Sequence, residues 1–112
     1  MSGNRIFVDT NILLYFLNGD QEVIEMIWDK EIVISSITEL ELLSYPKLTG
    51  ESEKVIKGLL RDCVIIDINP EIKELTIGLK KKSKLKLPDS IIASTSFYHK
   101  LPLLTPINNS KP

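Results

Sequence analysis

The sequence predicts an α/β fold with a mainly parallel sheet and helices on its faces. First, short apolar runs without the polar alternation of surface strands are typical of strands buried on both faces, and they lie at residues 6–8, 32–34, 64–66 and 101–104. Second, segments with helical spacing separate these runs, and such alternation is typical of parallel sheets. A length of 112 residues, 43% of them apolar, suits a single domain over residues 1–112 with a polar tail from about residue 106.

The first elements are a strand, a turn and a helix. The strand at residues 6–8 ends at Asp9, and the next two residues, Thr10 and Asn11, are types that favour the start of a helix. Apolar residues then recur at helical spacing until the polar residues 18–20, which end the pattern.

Two helices flank the second strand. The first is predicted over residues 22–30, with Val23, Ile27 and Trp28 on its inner face, and it leads into the strand at residues 32–34. The next helix begins at Ser36, which is predicted to form a capping box with Glu39. Its apolar stripe is predicted from residues at helical spacing, namely Ile37, Leu40 and Leu43.

The second half of the chain continues the alternation. A helix is predicted over residues 51–61, another begins at residue 69, and the last begins at Pro88. Between the last two helices lies a dense positive segment that contains Lys80, Lys81, Lys82, Lys84 and Lys86.

Composition excludes several classes of protein. A net charge of −1 provides no general attraction to nucleic acid or to anionic membranes. The single cysteine, Cys63, cannot form an internal disulfide and favours a reducing compartment. The N-terminal segment lacks the pattern of a signal peptide, and no stretch approaches about 18 consecutive apolar residues. We therefore expect a cytoplasmic protein with no membrane association.

Two aspartates stand where chemistry is expected. Asp9 ends a strand predicted to be buried on both faces, at the edge of a parallel sheet where ligands bind. The alternative role for Asp9 is to cap the following helix. Asp89 is predicted on the inner face of the last helix near its first turn, where a favourable interaction with the helix dipole is the alternative.

A third acid comes from the helix after the second strand. Glu39 and Glu41 lie about 200° apart around that helix, so at most one of them faces the sheet. Glu41 falls on the border of the predicted apolar stripe, whereas Glu39 falls outside it and has the predicted capping role. Glu41 is therefore the candidate, and a solvated carboxylate at the edge of the stripe is the alternative.

Three segments carry these acids in chain order: residues 7–13 (FVDTNIL), residues 34–43 (ISSITELELL), and residues 88–94 (PDSIIAS) followed by residues 101–105 (LPLLT). Together they resemble the metal-site segments of PIN-domain ribonucleases. The resemblance is strongest to the small VapC-type toxins of bacterial and archaeal toxin–antitoxin pairs.

The resemblance implies a PIN-like three-layer α/β/α fold and a metal-dependent endoribonuclease. Asp9, Glu41 and Asp89 take the positions of catalytic metal ligands, with Mg²⁺ or Mn²⁺ as the cofactor, and Thr10 and Asn11 take supporting positions. An RNA substrate, a cognate antitoxin and a homodimer are also implied. Contacts to RNA phosphates are expected from Lys82, Lys84 and Lys86. The alternative for these lysines is a solvated helix end that complements the dipole.

The sequence departs from the family pattern after Thr105. Family members usually carry an acid two residues later and often another soon after, whereas this sequence has Ile107 and Asn109. We therefore expect the fourth acid to be absent and the last strand to be missing or altered. Two functions stay open: an endoribonuclease that hydrolyses RNA phosphodiester bonds with a metal-activated water, or a catalytically weak or inactive PIN-fold module that binds an antitoxin or self-associates.

Overall fold

Residues 4–106 are described by a computed structural model, and within them strands and helices alternate as the sequence predicts. The elements in chain order are β1 (Arg5–Val8), α1 (Thr10–Leu17), α2 (Gln21–Ile27), β2 (Glu31–Ser35), α3 (Ser36–Leu43), α4 (Gly50–Arg61), β3 (Val64–Ile66), α5 (Pro70–Lys82), α6 (Leu87–His99) and β4 (Leu103–Leu104). The four strands form one parallel sheet in the order β3-β2-β1-β4. The predicted α/β class with a parallel sheet is therefore confirmed.

The two central strands are buried on both faces. Phe7 and Val8 in β1, like Val33 and Ile34 in β2, have no exposed surface. Successive side chains of a strand point to opposite faces, so each pair contributes one residue to each side of the sheet. Val8 and Ile34 belong to one apolar cluster, whereas Phe7 and Val33 pack with Ile92 of α6 in another. Helices therefore cover both faces, which gives three layers.

The second helix is shorter than the sequence predicts. Asp20 caps α2 through its side chain, and Val23 and Ile27, one turn apart, form the buried side. The helix ends at Ile27, and the Trp28 residue is 76% exposed. The prediction of Trp28 on the inner face is wrong because this position lies about 100° around the helix from Ile27, away from the buried line.

The start of α3 also differs from the prediction. Strand β2 continues through Ser35, which pairs with Ile66, and Ser35 rather than Ser36 is the N-cap, so the helix begins one residue earlier than a Ser36 cap would require. The Ser35 hydroxyl accepts a hydrogen bond from the Ile37 amide at 3.1 Å. Ser36 is already the first helical residue, and the predicted capping box with Glu39 is wrong.

The buried face of α3 is centred on two residues outside the predicted stripe, while the stripe residues Ile37 and Leu43 are partly buried against the core. Thr38 and Leu42 are fully buried, whereas Leu40 is 60% exposed. The apolar pattern was misleading because it counts Thr38 as polar, while the structure gives the Thr38 hydroxyl a partner inside the fold. The inner face of α3 is therefore partly polar.

Cys63 is half-buried and packs against the core beside β3. Burial, and secondarily the charge of Asp62, raise the pKa of the Cys63 thiol to about 11. The neutral thiol is thus the favoured form near neutral pH.

The last described strand is shorter than the apolar run that predicts it. Leu101 donates its amide to Ser96 at the end of α6, and Pro102 has no amide to donate, so regular pairing with β1 covers only Leu103 and Leu104. Ile107, Asn109 and the rest of the predicted tail lie outside the described residues. None of the helices within residues 4–106 has the length and apolar character needed to span a membrane.

Candidate metal-binding cleft

A cleft of about 350 Å³ opens at the carboxyl ends of the two central strands. Because β1 and β2 are parallel neighbours, the segments that follow them emerge on the same edge of the sheet. The residues that line the cleft are Asp9, Thr10, Asn11, Leu14, Glu41, Ser44, Tyr45 and Asp89. The structure therefore brings the three candidate acids to one place, although they come from three separate parts of the chain.

Asp9 is held firmly at the base of the cleft. It is 7% exposed and follows directly on β1. One carboxylate oxygen accepts a hydrogen bond from the Ile12 amide at 2.9 Å, which caps α1. The other accepts a short hydrogen bond from the Thr105 hydroxyl. The capping role and the cleft position, which the sequence left as alternatives, therefore occur together.

Glu41 reaches the cleft from α3 and is half-buried. Its carboxylate accepts a hydrogen bond of 2.6 Å from the hydroxyl of Thr10. That hydroxyl also lies 2.9 Å from the hydroxyl of Thr38. Glu39 lies in a separate surface groove with Lys57 and Arg61, so the structure agrees with helix geometry in choosing Glu41 as the cleft acid.

Asp89 contributes an exposed carboxylate from the first turn of α6. It also lines an adjoining lobe of about 300 Å³, which shares Asp9 and Asn11 with the main cleft. The other residues of this second lobe are Tyr15, Leu85, Ile92, Ala93, Leu103, Thr105 and Pro106. Asp9, Asn11 and Asp89 thus lie where the two lobes meet.

The candidate lysines divide into two groups. Leu85 lines the second lobe, and Lys84 and Lys86 are its immediate neighbours in the chain. The Lys80 ammonium donates to the Leu85 carbonyl at 2.7 Å, which holds this segment against the end of α5. Lys82 instead lines a groove between α5 and α6. Lys84 and Lys86 are therefore next in the chain to a residue of the second lobe, although neither lines it.

Several residues of the site were not identified from the sequence. Thr38 and Thr105 hold Thr10 and Asp9, and both stand in the segments that carry the resemblance, which was the available signal. Tyr15 and Tyr45, both 42% exposed, each line one lobe. Nothing in their spacing distinguishes these tyrosines from packing residues.

The donor atoms of the cleft fit a hard divalent cation. Carboxylate, hydroxyl and amide oxygens line it, and oxygen ligands are those that Mg²⁺ and Mn²⁺ prefer. Within residues 4–106, no three His, Cys, Asp or Glu side chains form a group able to hold a metal ion. Mg²⁺ usually takes one or two carboxylates and completes its shell with water and substrate phosphates, so a site of separated carboxylates suits it.

Comparisons with known proteins agree with this picture. Residues 6–106 match the PIN domain family. Ribonuclease VapC2 of Methanocaldococcus jannaschii is 32% identical over 123 aligned positions, which cover 90% of this chain and 83% of the relative.

Solved structures give the same result. A toxin–antitoxin complex from Klebsiella pneumoniae contains a chain with a TM-score of 0.76 and 34% identity, covering 88% of this chain and 82% of that one. VapBC2 from Rickettsia felis, bound to a DNA fragment from its promoter, gives a TM-score of 0.74 and 25% identity over 96% of this chain and 91% of that one.

Proposed function

The chain belongs to the PIN-domain family, and from that premise we propose that it is the nuclease of a toxin–antitoxin pair and hydrolyses RNA with the help of a divalent metal ion. The observation that carries this proposal is the convergence of Asp9, Glu41 and Asp89 on one cleft at the carboxyl edge of the sheet. Packing alone gives no reason for three acids from distant segments to share a cleft.

The charge of the cleft supports a metal-dependent reaction. Three carboxylates repel a polyanionic substrate unless a cation lies between them and the phosphate. Mg²⁺ or Mn²⁺ when bound supplies this positive charge and makes a water molecule more acidic. In this proposal Asp9 and Glu41 hold the ion, and the more exposed Asp89 faces the substrate side.

The remaining residues of the chain position these groups. The Ile12 amide and the Thr105 hydroxyl fix the Asp9 carboxylate, and each of its oxygens retains a lone pair with which it can accept a further ligand. Asn11 presents its amide to both lobes. Lys84 and Lys86 hold RNA phosphates beside the second lobe, while Lys82, which lines another groove, contributes less.

RNA is the proposed substrate because the 32% identical relative is named a ribonuclease. An antitoxin is the proposed protein partner because the similar solved structures are toxin–antitoxin complexes. The homodimer remains a prediction from the family resemblance, and sedimentation of the purified chain tests it. The cytoplasmic location remains a prediction from the composition and the N-terminal segment.

The direct test is RNA cleavage by the purified full chain. A structured RNA with single-stranded loops is incubated with Mg²⁺ or Mn²⁺, beside EDTA and beside an Asp9→Asn variant. Asparagine is also a good helix cap, so this variant keeps the start of α1. Metal-dependent cleavage that Asp9→Asn abolishes supports the proposal, because a contaminating nuclease would not respond to the substitution.

The opposite result has an equally definite meaning. Ile107 and Asn109 stand where relatives usually carry further acids, and these acids would strengthen metal binding. If the folded wild-type chain cleaves no more RNA than Asp9→Asn at any Mn²⁺ concentration, the inactive binding module replaces the nuclease. Binding of the cognate antitoxin would then be unaffected by EDTA.

A further inference from the structure

Four threonines of the described chain have fully or partly buried hydroxyls inside helices, and they bond in two different ways. Thr76 and Thr95 lie deep in α5 and α6, and each donates to the carbonyl four residues earlier, at 2.8 Å and 2.7 Å. Thr10 and Thr38 instead lie 2.9 Å from each other, across two helices. The second pair thus connects α1 to α3.

The position of each threonine in its helix explains this difference. Thr10 is the first residue of α1 and Thr38 is the third of α3, so the carbonyl four residues earlier belongs to a strand rather than to the same helix. The usual internal acceptor is therefore not available to either hydroxyl. Thr38 is also fully buried, and a buried hydroxyl without a partner destabilises the fold.

The directions of these hydrogen bonds follow from the Glu41 carboxylate, which is the final acceptor. A carboxylate only accepts, so the single proton of Thr10 goes to Glu41, at 2.6 Å. The Thr10 oxygen then accepts a hydrogen bond of 2.9 Å from the hydroxyl of Thr38. The order of donation is Thr38 to Thr10 to Glu41.

We propose that Thr38 is a positioning residue for the metal ligand Glu41, acting through the hydroxyl of Thr10. Thr38 does not line the cleft, so its hydroxyl acts on the cleft only through Thr10. Its hydroxyl fixes the rotamer of Thr10, and Thr10 in turn holds the carboxylate of Glu41 in one orientation before the metal arrives. The expected effect on metal binding rests on the proposed function. The positioning of Thr10 by Thr38 rests on the hydrogen bonds.

The test compares two substitutions that separate the hydroxyl from the methyl group. Thr38→Val removes the hydroxyl and keeps the branched shape, whereas Thr38→Ser keeps the hydroxyl and removes the methyl. Leu42→Val is the packing control, because Leu42 is fully buried one turn later on the same face of α3. Thermal unfolding of all three full-length variants reports how much of each effect is stability.

The first readout is Mn²⁺ binding, followed by electron paramagnetic resonance of the free ion. Loss of a hydrogen bond behind a metal ligand typically weakens metal binding about 10–100-fold, and we expect about 10-fold for Thr38→Val. Thr38→Ser and Leu42→Val should bind within about twofold of wild type. Wild-type affinity in Thr38→Val, or a Thr38→Ser variant as weak as Thr38→Val, overturns the proposal.

The second readout needs no metal. Three-bond NMR couplings of the Thr10 side chain should report one rotamer in the wild type and in Thr38→Ser, and rotamer averaging in Thr38→Val. A single Thr10 rotamer in Thr38→Val overturns the positioning role. Failure of the wild type to bind Mn²⁺ counts against the proposed function, and these couplings still decide the role of Thr38.

Discussion

Two regions of the molecule use hydroxyl groups in different ways. Beside the cleft, the hydroxyls of Thr10 and Thr105 donate directly to carboxylates. Between α5 and α6, within the part of the chain that the structure describes, the buried hydroxyls of Ser90 and Ser94 have no hydrogen-bond partner. The cleft hydroxyls therefore act as hydrogen-bond donors, whereas Ser90 and Ser94 of α6 contribute by their small size.

The small size of these two serines matters because α5 and α6 pack against each other. Ser94 lines the groove between α5 and α6, and Ser90 lies one turn before it on the same side of α6. Small side chains let two helices approach closely, and the gain in packing offsets the cost of an unpaired hydroxyl. The lesson is that burial alone does not make a polar residue functional; its partner does.

The largest effect is expected from a substitution of Glu41, the acid that accepts the hydrogen bond of Thr10. Glu41→Gln keeps the shape of the side chain but removes the charge, and we expect RNA cleavage to fall by about 100-fold or more. Glu39→Gln is the matched control two residues away on the same helix, and it should change cleavage less than about twofold. Equal losses in both variants would mean that α3, rather than its cleft-facing acid, supports the activity.

The next effect concerns the other carboxylate. Thr105→Val removes the donor to Asp9, so that oxygen loses a partner and the aspartate gains freedom. We expect Mn²⁺ binding to weaken about tenfold, as is usual for a residue behind a metal ligand. Thr105→Ser should restore the affinity. An unchanged affinity in Thr105→Val would mean that the Thr105 hydroxyl, like those of Ser90 and Ser94, makes no hydrogen bond that matters for the site.

A measurement of stability tests the role of the two unpaired serines of α6. Ser90→Ala and Ser94→Ala each remove a buried hydroxyl without a recorded partner, and alanine is the better helix former. We expect each to raise the free energy of unfolding by about 1 kcal/mol, measured in urea, with RNA cleavage unchanged. A loss of stability would show that these hydroxyls have partners, such as ordered water, and would weaken the contrast with the cleft.

The smallest effect is expected from the lysines of the segment between α5 and α6. Lys84→Gln and Lys86→Gln should each weaken RNA binding a few-fold and reduce the slope of log affinity against log salt by about one. Lys82→Gln is the control, because Lys82 lines the groove between α5 and α6. Equal slopes in all three variants would mean that the segment attracts RNA by its overall charge.

The sheet and the location of Asp9 could be predicted because they depend on local pattern. Short apolar runs mark β1 to β3, and Asp9 follows directly on the first of them. The inner face of α3 could not be predicted in the same way. Thr38 counts as polar by residue type, and only the position of Thr10 on the neighbouring helix shows why it is buried.

The partners of the cleft residues were beyond local reasoning for a similar reason. Two adjacent serines, Ser35 and Ser36, are equivalent as caps by residue type, and the pairing of Ser35 with Ile66 decides between them. The contact between Thr105 and Asp9 likewise depends on β4 lying beside β1. The catalytic roles of Asp9, Glu41 and Asp89 stay predictions until the cleavage experiment is done.

The hydrogen bond between Thr105 and Asp9 spans 96 positions of the chain. A ribosome synthesises Asp9, Thr38 and Glu41 early but needs about 3–13 s more to reach residue 105, at about 5–20 residues per second. During that interval Asp9 lacks one of its two fixed partners, and until Asp89 is added the cleft also lacks α6. Under the proposed function, the cleft therefore gains its full set of contacts only after the chain's own messenger has been read past codon 105.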